Sequence, residues 1–221
     1  MSGVWAVIPA YNEAASLPGV IDRVHAAGLR CLVVDDGSSD ASAQVAREAG
    51  ADDVVSHPQN RGYAAALATG LQAAAREEGC AWVVSLDADG QLDPAEAASL
   101  VAAADAAGVD IAVGIRPEPA RLSERFAAYL ASTLFGVTDP LCGMKAYRPA
   151  IIRRFSKSCG RRVGMELAVR AAAARYGMLQ RPVSIRPAAR HTRYGRGLWS
   201  EVRIVAAALA LLPCVLEGVR S

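Results

Sequence analysis

Apolar segments and Ala-rich segments alternate along the first half of the chain. Five short runs rich in Val, Ile and Leu predict buried strands: VWAVIP, CLVVDD, DDVVSH, AWVVSLD and DIAVGI. The stretches between them predict helices near residues 14–27, 40–49, 62–78 and 94–107. Strands that alternate with helices in this way are typical of a parallel sheet with helices on both faces. The pattern therefore predicts an α/β fold with a mostly parallel central sheet.

The second half of the chain is less regular, but no linker or low-complexity segment separates it from the first. We predict a helix near 120–135, a strand in GMKAYR, a helix near 163–176, a strand in LQRPVSI and an amphipathic tail after Gly197. We therefore expect a single domain over residues 1–221, with a first half at 1–115 and a second half at 116–221.

One helix start is specified by its own side chains. In the segment DPAE, Asp93 stands at the N-cap, Pro94 at the first helical position and Glu96 where a capping-box partner belongs. Asp93 is therefore predicted to be structural, which separates it from the other acidic residues nearby.

Composition argues against several classes of protein. The five cysteines are scattered and show no C-x-x-C spacing, which argues against a disulfide framework and a zinc site. The N-terminus has no basic segment of the kind that opens a secretory signal. The longest uncharged apolar run, 204–216, contains Pro213 and is too short to span a bilayer. We expect a cytoplasmic protein.

Charge is distributed unevenly. Residues 1–110 contain five Arg and sixteen acidic residues, a net charge of −11, whereas residues 111–221 contain nineteen basic and six acidic residues, a net charge of +13. An Arg-rich and Ala-rich composition is one explanation; an acidic cation site facing an anion-binding second half is the other. Nucleic acid is a poor candidate partner, because neither a binding motif nor interleaved aromatic residues accompany the basic stretches.

Polar and acidic residues follow three predicted strands, at the end where open parallel sheets bind ligands. They are Asn12 and Glu13, Asp35 and Asp36, and Asp87 and Asp89. Asp87 and Asp89 are two positions apart, so their side chains share a face in extended backbone. Two close carboxylates repel each other unless a cation or other donors satisfy them. A hard divalent cation, Mg²⁺ or Mn²⁺, fits this pair, and Gln91 offers a further oxygen.

Four motifs occur in order along the chain: IPAYNE, VDDGSSD, NRGYAAALATGL and LDADGQ. In this order they resemble the family 2 glycosyltransferases of the type A fold, most closely the branch of dolichol-phosphate mannose synthase and related polyprenyl-phosphate glycosyltransferases. The resemblance covers nearly the whole chain. It implies a single-domain type A fold with a Rossmann-like first half, 1–115, for nucleotide sugar and metal. The second half, 116–221, would hold the acceptor and end in the amphipathic tail.

The resemblance also implies roles for individual residues of the first half. Asp87 would contact the ribose side of the nucleotide, Asp89 would bind the metal that bridges the donor diphosphate, and Gln91 would be an extra metal ligand. The NRG segment at 60–62 matches the family's N-x-G helix start, where donor contact and a turn role are alternatives. The nucleotide-sugar pocket would be lined by Pro9, Tyr11, Glu13, Asp35, Asp36 and Asp87.

In the second half, TDPLCGMKAYRP at 138–149 is similar to the family's D-x-x-S-G-F-R-A-Y-R segment. The resemblance implies that Arg148 acts in catalysis with Asp87 and Asp89. Farther on, RHTRYG departs from the family's R-x-x-G-x-S-K ending, so Arg190, His191, Arg193 and Arg196 are all candidates for the cation beside the diphosphate. Acceptor and diphosphate binding would fall to Arg116, Lys145, Arg148, Arg190 and Arg193.

Three further residues have less specific signals. Glu166 is a candidate general base for a hydroxyl acceptor, but an ion pair with Arg170 at i+4 is the favoured interpretation. His25 and His57 have no partner at a suggestive spacing, and no role is assigned to either.

Together these features predict a metal-dependent inverting glycosyltransferase that uses a nucleoside-diphosphate sugar and a polyprenyl phosphate. A hydroxyl acceptor, and a non-catalytic module that binds nucleotide sugar, are the alternatives. A nucleotidyltransferase or a dinucleotide-dependent oxidoreductase would carry a Gly-rich loop after the first strand, and PAYNEAAS has none. The 204–216 tail would pack on its own domain, on a second subunit or peripherally on the cytoplasmic face of a membrane.

Overall fold

A seven-stranded sheet forms the centre of the protein, here described from a computed structural model that covers residues 3–117, 122–159, 162–186 and 198–209. The strand order is β3-β2-β1-β4-β6-β5-β7, and all neighbours are parallel except β6, which runs antiparallel to β4 and β5. This confirms the predicted single α/β domain. The strands are β1 Val4–Ala10, β2 Arg30–Asp35, β3 Asp53–Ser56, β4 Trp82–Ser85, β5 Ile111–Ile115, β6 Lys145–Tyr147 and β7 Met178–Pro182.

Helices connect the strands, and most lie where the sequence pattern predicts them. The exception is α6, a short helix that begins at Pro149 directly after β6 and that the apolar pattern did not indicate. The helices are α1 Leu17–Ala26, α2 Ser42–Glu48, α3 Tyr63–Ala74, α4 Pro94–Ala106, α5 Leu122–Phe135, α6 Pro149–Phe155, α7 Val163–Ala173 and α8 Leu198–Leu209.

Both faces of the inner strands are buried, which explains why they read as continuous apolar runs. The prediction that DDVVSH is a buried strand is wrong in that respect, because β3 is an edge strand and is partly exposed. On one face Ile21 of α1 and Leu100 of α4 belong to the same buried cluster as Ile8 of β1. On the other face α3 and α7 pack Leu71 and Leu167 in the same cluster as the neighbouring strands. All seven residues of β1, an inner strand of the sheet, are buried, and the turn that follows it begins at this buried strand.

The direction of β6 decides which residues of the second half reach the ligand-binding edge. Lys145, at its start, pairs with Ser85 at the end of β4, whereas Tyr147 pairs with Val83 near the beginning of β4. Arg148 follows Tyr147 and therefore lies at the opposite edge of the sheet. Lys145 and Arg148 lie at opposite ends of this short strand, and because β6 is antiparallel it is Lys145, not Arg148, that lies beside the carboxyl ends of the parallel strands.

The described part of the C-terminal tail packs on the domain itself. Ile204 and Ala208 of α8 are buried in a cluster with Ala127 and Ala131 of α5 and with Val169 of α7. Within the described residues, no helix combines the length and apolarity that crossing a membrane requires.

Candidate active site

A cleft of about 280 Å³ opens where β1, β2 and β4 end. The structure brings together at this cleft most of the residues that the sequence assigned to the nucleotide sugar, and adds side chains from the start of α3. The lining residues are Pro9, Ala10, Tyr11, Glu13, Asp36, Asn60, Tyr63, Ala66, Asp87, Ala88 and Asp89. Asp35 is buried but is not among them, because its carboxylate accepts a hydrogen bond from Ser38 N at 3.3 Å inside its own turn.

The turn after β1 is tied to the turn after β2. Asn12 adopts a left-handed backbone conformation, with φ of 57°, and its side-chain oxygen accepts a hydrogen bond from Ser39 N at 2.9 Å. The backbone amide of Glu13 donates to Ser42 Oγ at 2.8 Å. Together these hydrogen bonds join the two loops and hold Tyr11 and Glu13 at the rim of the cleft.

Asp36 binds several groups beside the start of α3. Its buried carboxylate accepts hydrogen bonds from Arg61 N at 3.0 Å and Gly62 N at 2.7 Å, and its Oδ1 lies 2.6 Å from Nδ1 of His57. The NRG segment is therefore held by Asp36. His57 was given no role on sequence grounds, because a partner 21 positions away leaves no local spacing signal.

Asp87 stands at the centre of the site and is enclosed on two sides. The hydroxyl of Tyr63 donates to Asp87 Oδ1 at 3.1 Å. From the other side Gly143 approaches so closely that a Cβ there would lie 2.9 Å from the Asp87 Cγ atom. This close approach requires a glycine at position 143 and fixes the second half of the chain against the D-x-D segment.

Asp89 and Gln91, the two predicted metal ligands, are hydrogen-bonded to each other. The Gln91 side-chain amide donates to Asp89 Oδ2 at 2.9 Å and the Gln91 backbone amide to Asp89 Oδ1 at 3.0 Å. Gly90, between them, has φ of 72°, which closes the turn. Within the described ranges no three His, Cys, Asp or Glu side chains cluster as a complete metal site. The oxygen-rich donor set of Asp89, Gln91 and the adjacent Asp87 fits a hard divalent ion that takes its remaining ligands from a bound substrate.

Arg116 and Lys145 both lie at the ligand-binding edge, but both are engaged with protein groups. Arg116 Nε and Nη2 donate to the two oxygens of Asp139 at 2.7 and 3.0 Å, and Glu124 lies 3.6 Å from Nη1. Burial raises the pKa of Asp139, but hydrogen bonds and charge from Arg116 outweigh it, so the pKa lies below its usual value. Lys145 is buried and donates to the Cys142 carbonyl; burial lowers its pKa.

Arg148 lies outside the site, which corrects the prediction that it flanks the acceptor. Its guanidinium forms an ion pair with Asp105 and stacks over the Trp82 ring, 4.4 Å from the ring centroid. Both partners lie away from the cleft, Trp82 at the start of β4 and Asp105 near the end of α4. Arg153 and Arg154 are also remote, since they bind the Ala75 carbonyl and the Tyr176 hydroxyl.

The structure also shows the partners of two further acidic residues, Glu166 and Asp93. Glu166 is buried and forms the predicted ion pair with Arg170, with Oε1 and Nη2 2.9 Å apart. The side chain of Asp93 accepts from Ala95 N at 3.0 Å, which confirms it as the N-cap of α4. Arg190, His191, Arg193 and Arg196 lie outside the described residues.

The fold is similar to that of solved sugar-transferring enzymes. Glucosyl-3-phosphoglycerate synthase from Mycobacterium tuberculosis, in complex with Mn²⁺, UDP and glucosyl-3-phosphoglycerate, superposes with a TM-score of 0.69, at 22% identity over 97% of this chain and 79% of that chain. Mannosyl-3-phosphoglycerate synthase from Rubrobacter xylanophilus gives a TM-score of 0.66, at 22% identity over 95% of this chain and 72% of that chain. At this identity the likeness shows a shared fold.

Two sequence relatives have names that refer to polyprenol or undecaprenyl phosphate. A polyprenol monophosphomannose synthase from Mycolicibacterium smegmatis is 31% identical over 69% of this chain and 64% of its own length. An undecaprenyl-phosphate 4-deoxy-4-formamido-L-arabinose transferase from Pseudomonas aeruginosa is 31% identical over 96% of this chain and 65% of its own length. The chain thus spans just under two thirds of the length of these relatives.

The match to a family model agrees with the geometry of the cleft. The model described as glycosyl transferase family 2 matches residues 5–158, which include β1 to β6, the cleft, the D-x-D segment and Gly143. A match over more than half of the chain, together with relatives above 30% identity, establishes membership. This chain belongs to glycosyl transferase family 2.

Proposed function

We propose that the protein is a metal-dependent glycosyltransferase that moves a sugar from a nucleoside-diphosphate sugar to a polyprenyl phosphate. The observation that carries this proposal is the cleft at the ends of β1, β2 and β4, where Asp87 and Asp89 meet the residues expected to hold the nucleotide. The family and the printed names of the two relatives support the reaction class and the acceptor class.

On the donor side, the nucleotide would enter between the turn after β1 and the start of α3. Tyr11, Glu13 and Asp36 line that part of the cleft, and Pro9 lies at its floor among the buried residues of β1. Asp87, held by Tyr63, would contact the ribose, next to the position where the diphosphate must lie to reach Asp89. Because Asn60 lines the cleft, we propose that it contacts the donor directly. The backbone amides of Arg61 and Gly62 donate to Asp36 and so stabilise the turn.

Asp89 and Gln91 would hold the Mg²⁺ or Mn²⁺ ion, with Asp87 beside them. When bound, such an ion offsets the negative charge that builds on the departing nucleoside diphosphate. The protein residues keep their oxygens in place before the donor arrives, because the Asp89 carboxylate is fixed by two hydrogen bonds from Gln91.

The acceptor would approach the sugar from the side opposite the diphosphate. One acceptor oxygen forms a bond to the anomeric carbon while the bond from that carbon to the diphosphate oxygen breaks, and the nucleoside diphosphate leaves with the bonding electrons. This in-line attack inverts the anomeric centre. A phosphate acceptor is already anionic and needs no base, which agrees with the pairing of Glu166 to Arg170.

The cations expected at the acceptor are fewer than the sequence indicated. In the described part of the second half, Arg116 and Lys145 lie at this edge, and both are bound to neighbouring protein groups. Arg190 and Arg193 remain candidates from the sequence. The acceptor assignment therefore rests on the relatives more than on a visible cluster of positive charge.

Transfer of a labelled sugar tests the proposal. The purified chain would be given UDP- and GDP-sugars with Mn²⁺ or Mg²⁺, and either undecaprenyl phosphate in detergent or a set of sugar alcohols as acceptor. We expect labelled lipid with metal and none with excess EDTA. Label in the alcohols but not in the lipid would replace the lipid acceptor with a hydroxyl acceptor. Donor binding without turnover to any acceptor would favour a non-catalytic binding module.

A further inference from the structure

His57, at the end of β3, is a buried polar side chain with a polar partner on each ring nitrogen. Nδ1 lies 2.6 Å from Asp36 Oδ1 and Nε2 lies 3.0 Å from Thr69 Oγ1 of α3. Its exposure is 7%, and that of Asp36 is 2%. A buried network of this kind is costly unless all its members are satisfied, so its geometry is sharply defined.

The partners determine which nitrogen carries the proton. A carboxylate only accepts hydrogen bonds, so His57 Nδ1 must donate to Asp36. In the neutral ring Nε2 then accepts from the Thr69 hydroxyl, which can rotate to donate. The ring is therefore held at both ends, by β2 through Asp36 and by α3 through Thr69.

Asp36 transmits this fixed position to the cleft. Its oxygens also accept from the amides of Arg61 and Gly62, the two residues that precede α3. Gly62 has φ of 89° and is the N-cap residue, so α3 starts where Asp36 holds it. The next residue, Tyr63, donates to Asp87 at 3.1 Å. A continuous series of hydrogen-bonded groups thus leads from His57 to the centre of the site.

We infer that His57 is a positioning residue for donor binding: it orients the Asp36 carboxylate and, through it, the 60–63 segment that lines the cleft. It does not itself line the cleft, so it acts through Asp36. The importance of this role for donor binding rests on the proposed function. The restraint of the 60–63 segment can be measured without any nucleotide.

The first test measures nucleotide affinity by calorimetry, with UDP and GDP as probes in the presence of Mn²⁺. His57→Leu removes the donor to Asp36, and we expect at least about tenfold weaker binding of whichever nucleotide the wild type binds, as for loss of a hydrogen bond to a charged group. His57→Asn places an amide donor near the Nδ1 position and should recover most of the affinity. Equal affinity in His57→Leu and wild type would overturn the role in donor binding.

His25 provides a matched control, because it also forms a His–Asp pair. Its Nε2 lies 3.0 Å from Asp52 Oδ2 on the surface beside α1, away from the cleft. His25→Leu should leave the affinity for UDP and GDP unchanged. A loss as large as that of His57→Leu would show that removing either pair acts through general destabilisation, and the inference would fall.

The second test measures amide hydrogen exchange of the ligand-free protein. We expect His57→Leu to raise exchange at residues 60–63 by about tenfold or more, and His25→Leu to leave it unchanged. If His57→Leu does not fold, Thr69→Val takes its place, with Thr69→Ser as the variant that restores slow exchange. Unchanged exchange in the variant would overturn the inference. If the wild-type protein binds neither UDP nor GDP, the proposed donor is wrong. The amide hydrogen exchange of residues 60–63 still decides whether His57 positions Asp36.

Discussion

At the residue scale, the contact between Gly143 and Asp87 is a tight restraint on the site. Gly143→Ala would place a Cβ 2.9 Å from Asp87 Cγ, so the carboxylate must move away from its place beside Tyr63. We expect a loss in kcat/KM of about a hundredfold, because small displacements of positioned groups have effects of this size. Transfer assays on protein whose fold is verified by circular dichroism check this. Normal turnover would show that Asp87 is not needed in its observed position.

Asp89 carries the metal assignment, and its neighbour Asp93 offers a comparison. Asp89→Asn should keep the fold and abolish metal-dependent transfer. Asp93→Ala should lower the free energy of unfolding by about 1 kcal/mol with little effect on turnover, because Asp93 caps α4. The two variants are compared by transfer assay and by urea denaturation. Near-normal turnover of Asp89→Asn would contradict the assignment.

The Arg116–Asp139 pair should make stability depend on pH. The pKa of Asp139 is lowered in the folded protein. Its carboxylate therefore stabilises the fold at pH values above the unfolded pKa, about 3.9, and this contribution is lost as the pH falls through the lower folded pKa. Asp139→Asn should therefore be less stable than wild type at pH 7, by about 3 kcal/mol for a largely buried pair. Urea denaturation between pH 3 and 7 checks this, and the difference should shrink towards the acidic end. A constant difference across that range would count against the ion pair as its cause.

The residues that the sequence could identify are those whose signal is local. Asp87, Asp89 and Gln91 stand within five positions after an apolar run, and the strand end places them. His57 could not be found in this way, because its partners Asp36 and Thr69 come from other elements. Arg148 was misplaced for a related reason: the apolar pattern of a short strand does not reveal its direction.

At the element scale, α3 lies unusually close to the sheet. A Cβ on Gly70 would lie 2.8 Å from Val34 Cγ2 and would also press on Val7, and neither branched side chain has room to turn in a buried cluster. We expect Gly70→Ala to lower the free energy of unfolding by about 1–3 kcal/mol through overpacking. Because Tyr63 begins the same helix, donor affinity should fall as well.

Gly19→Ala is the matched control for this helix substitution. Gly19 lies inside α1, and the nearest atom to its added Cβ is Arg23 Nη1 at 3.5 Å, an ordinary contact. There alanine should stabilise the helix by up to about 1 kcal/mol. Thermal denaturation of both variants distinguishes the two effects. A stabilised Gly70→Ala would mean that α3 can move away from the sheet at little cost.

Most elements were predictable because apolar runs and Ala-rich segments alternate along the chain. The five strands of the first half and the helices between them follow from apolar runs and Ala-rich segments, although the edge strand β3 is partly exposed rather than buried. The short α6 was not predicted, since the helix has only seven residues, too few for a helical period to show. Its existence depends on packing against α3 and α7, which the sequence pattern does not contain.

At the scale of the whole molecule, the basic residues that the structure describes in the second half are spread over both ends of the strands. Arg148, Arg153 and Arg154 bind groups remote from the cleft. The net charge of +13 is therefore not by itself a sign of an anion-binding site.

Arg148→Ala tests this distribution directly. The ion pair with Asp105 is exposed, so we expect only a small loss of stability from it and from the Trp82 contact, and turnover within about twofold of wild type. Steady-state kinetics and urea denaturation supply the two numbers. A tenfold fall in kcat/KM without loss of stability would return Arg148 to the acceptor side.

The late arrival of β6 between β4 and β5 has a consequence for synthesis on the ribosome. When residues 1–115 have emerged, β4 and β5 have been made. The strand that pairs with both of them, β6 at 145–147, follows about 30 positions after β5 along the chain. Until then both strands present unpaired edges of apolar residues to other nascent chains. The same segment brings Gly143 to Asp87, so the nascent chain is most exposed to aggregation during the interval before its D-x-D site can be completed.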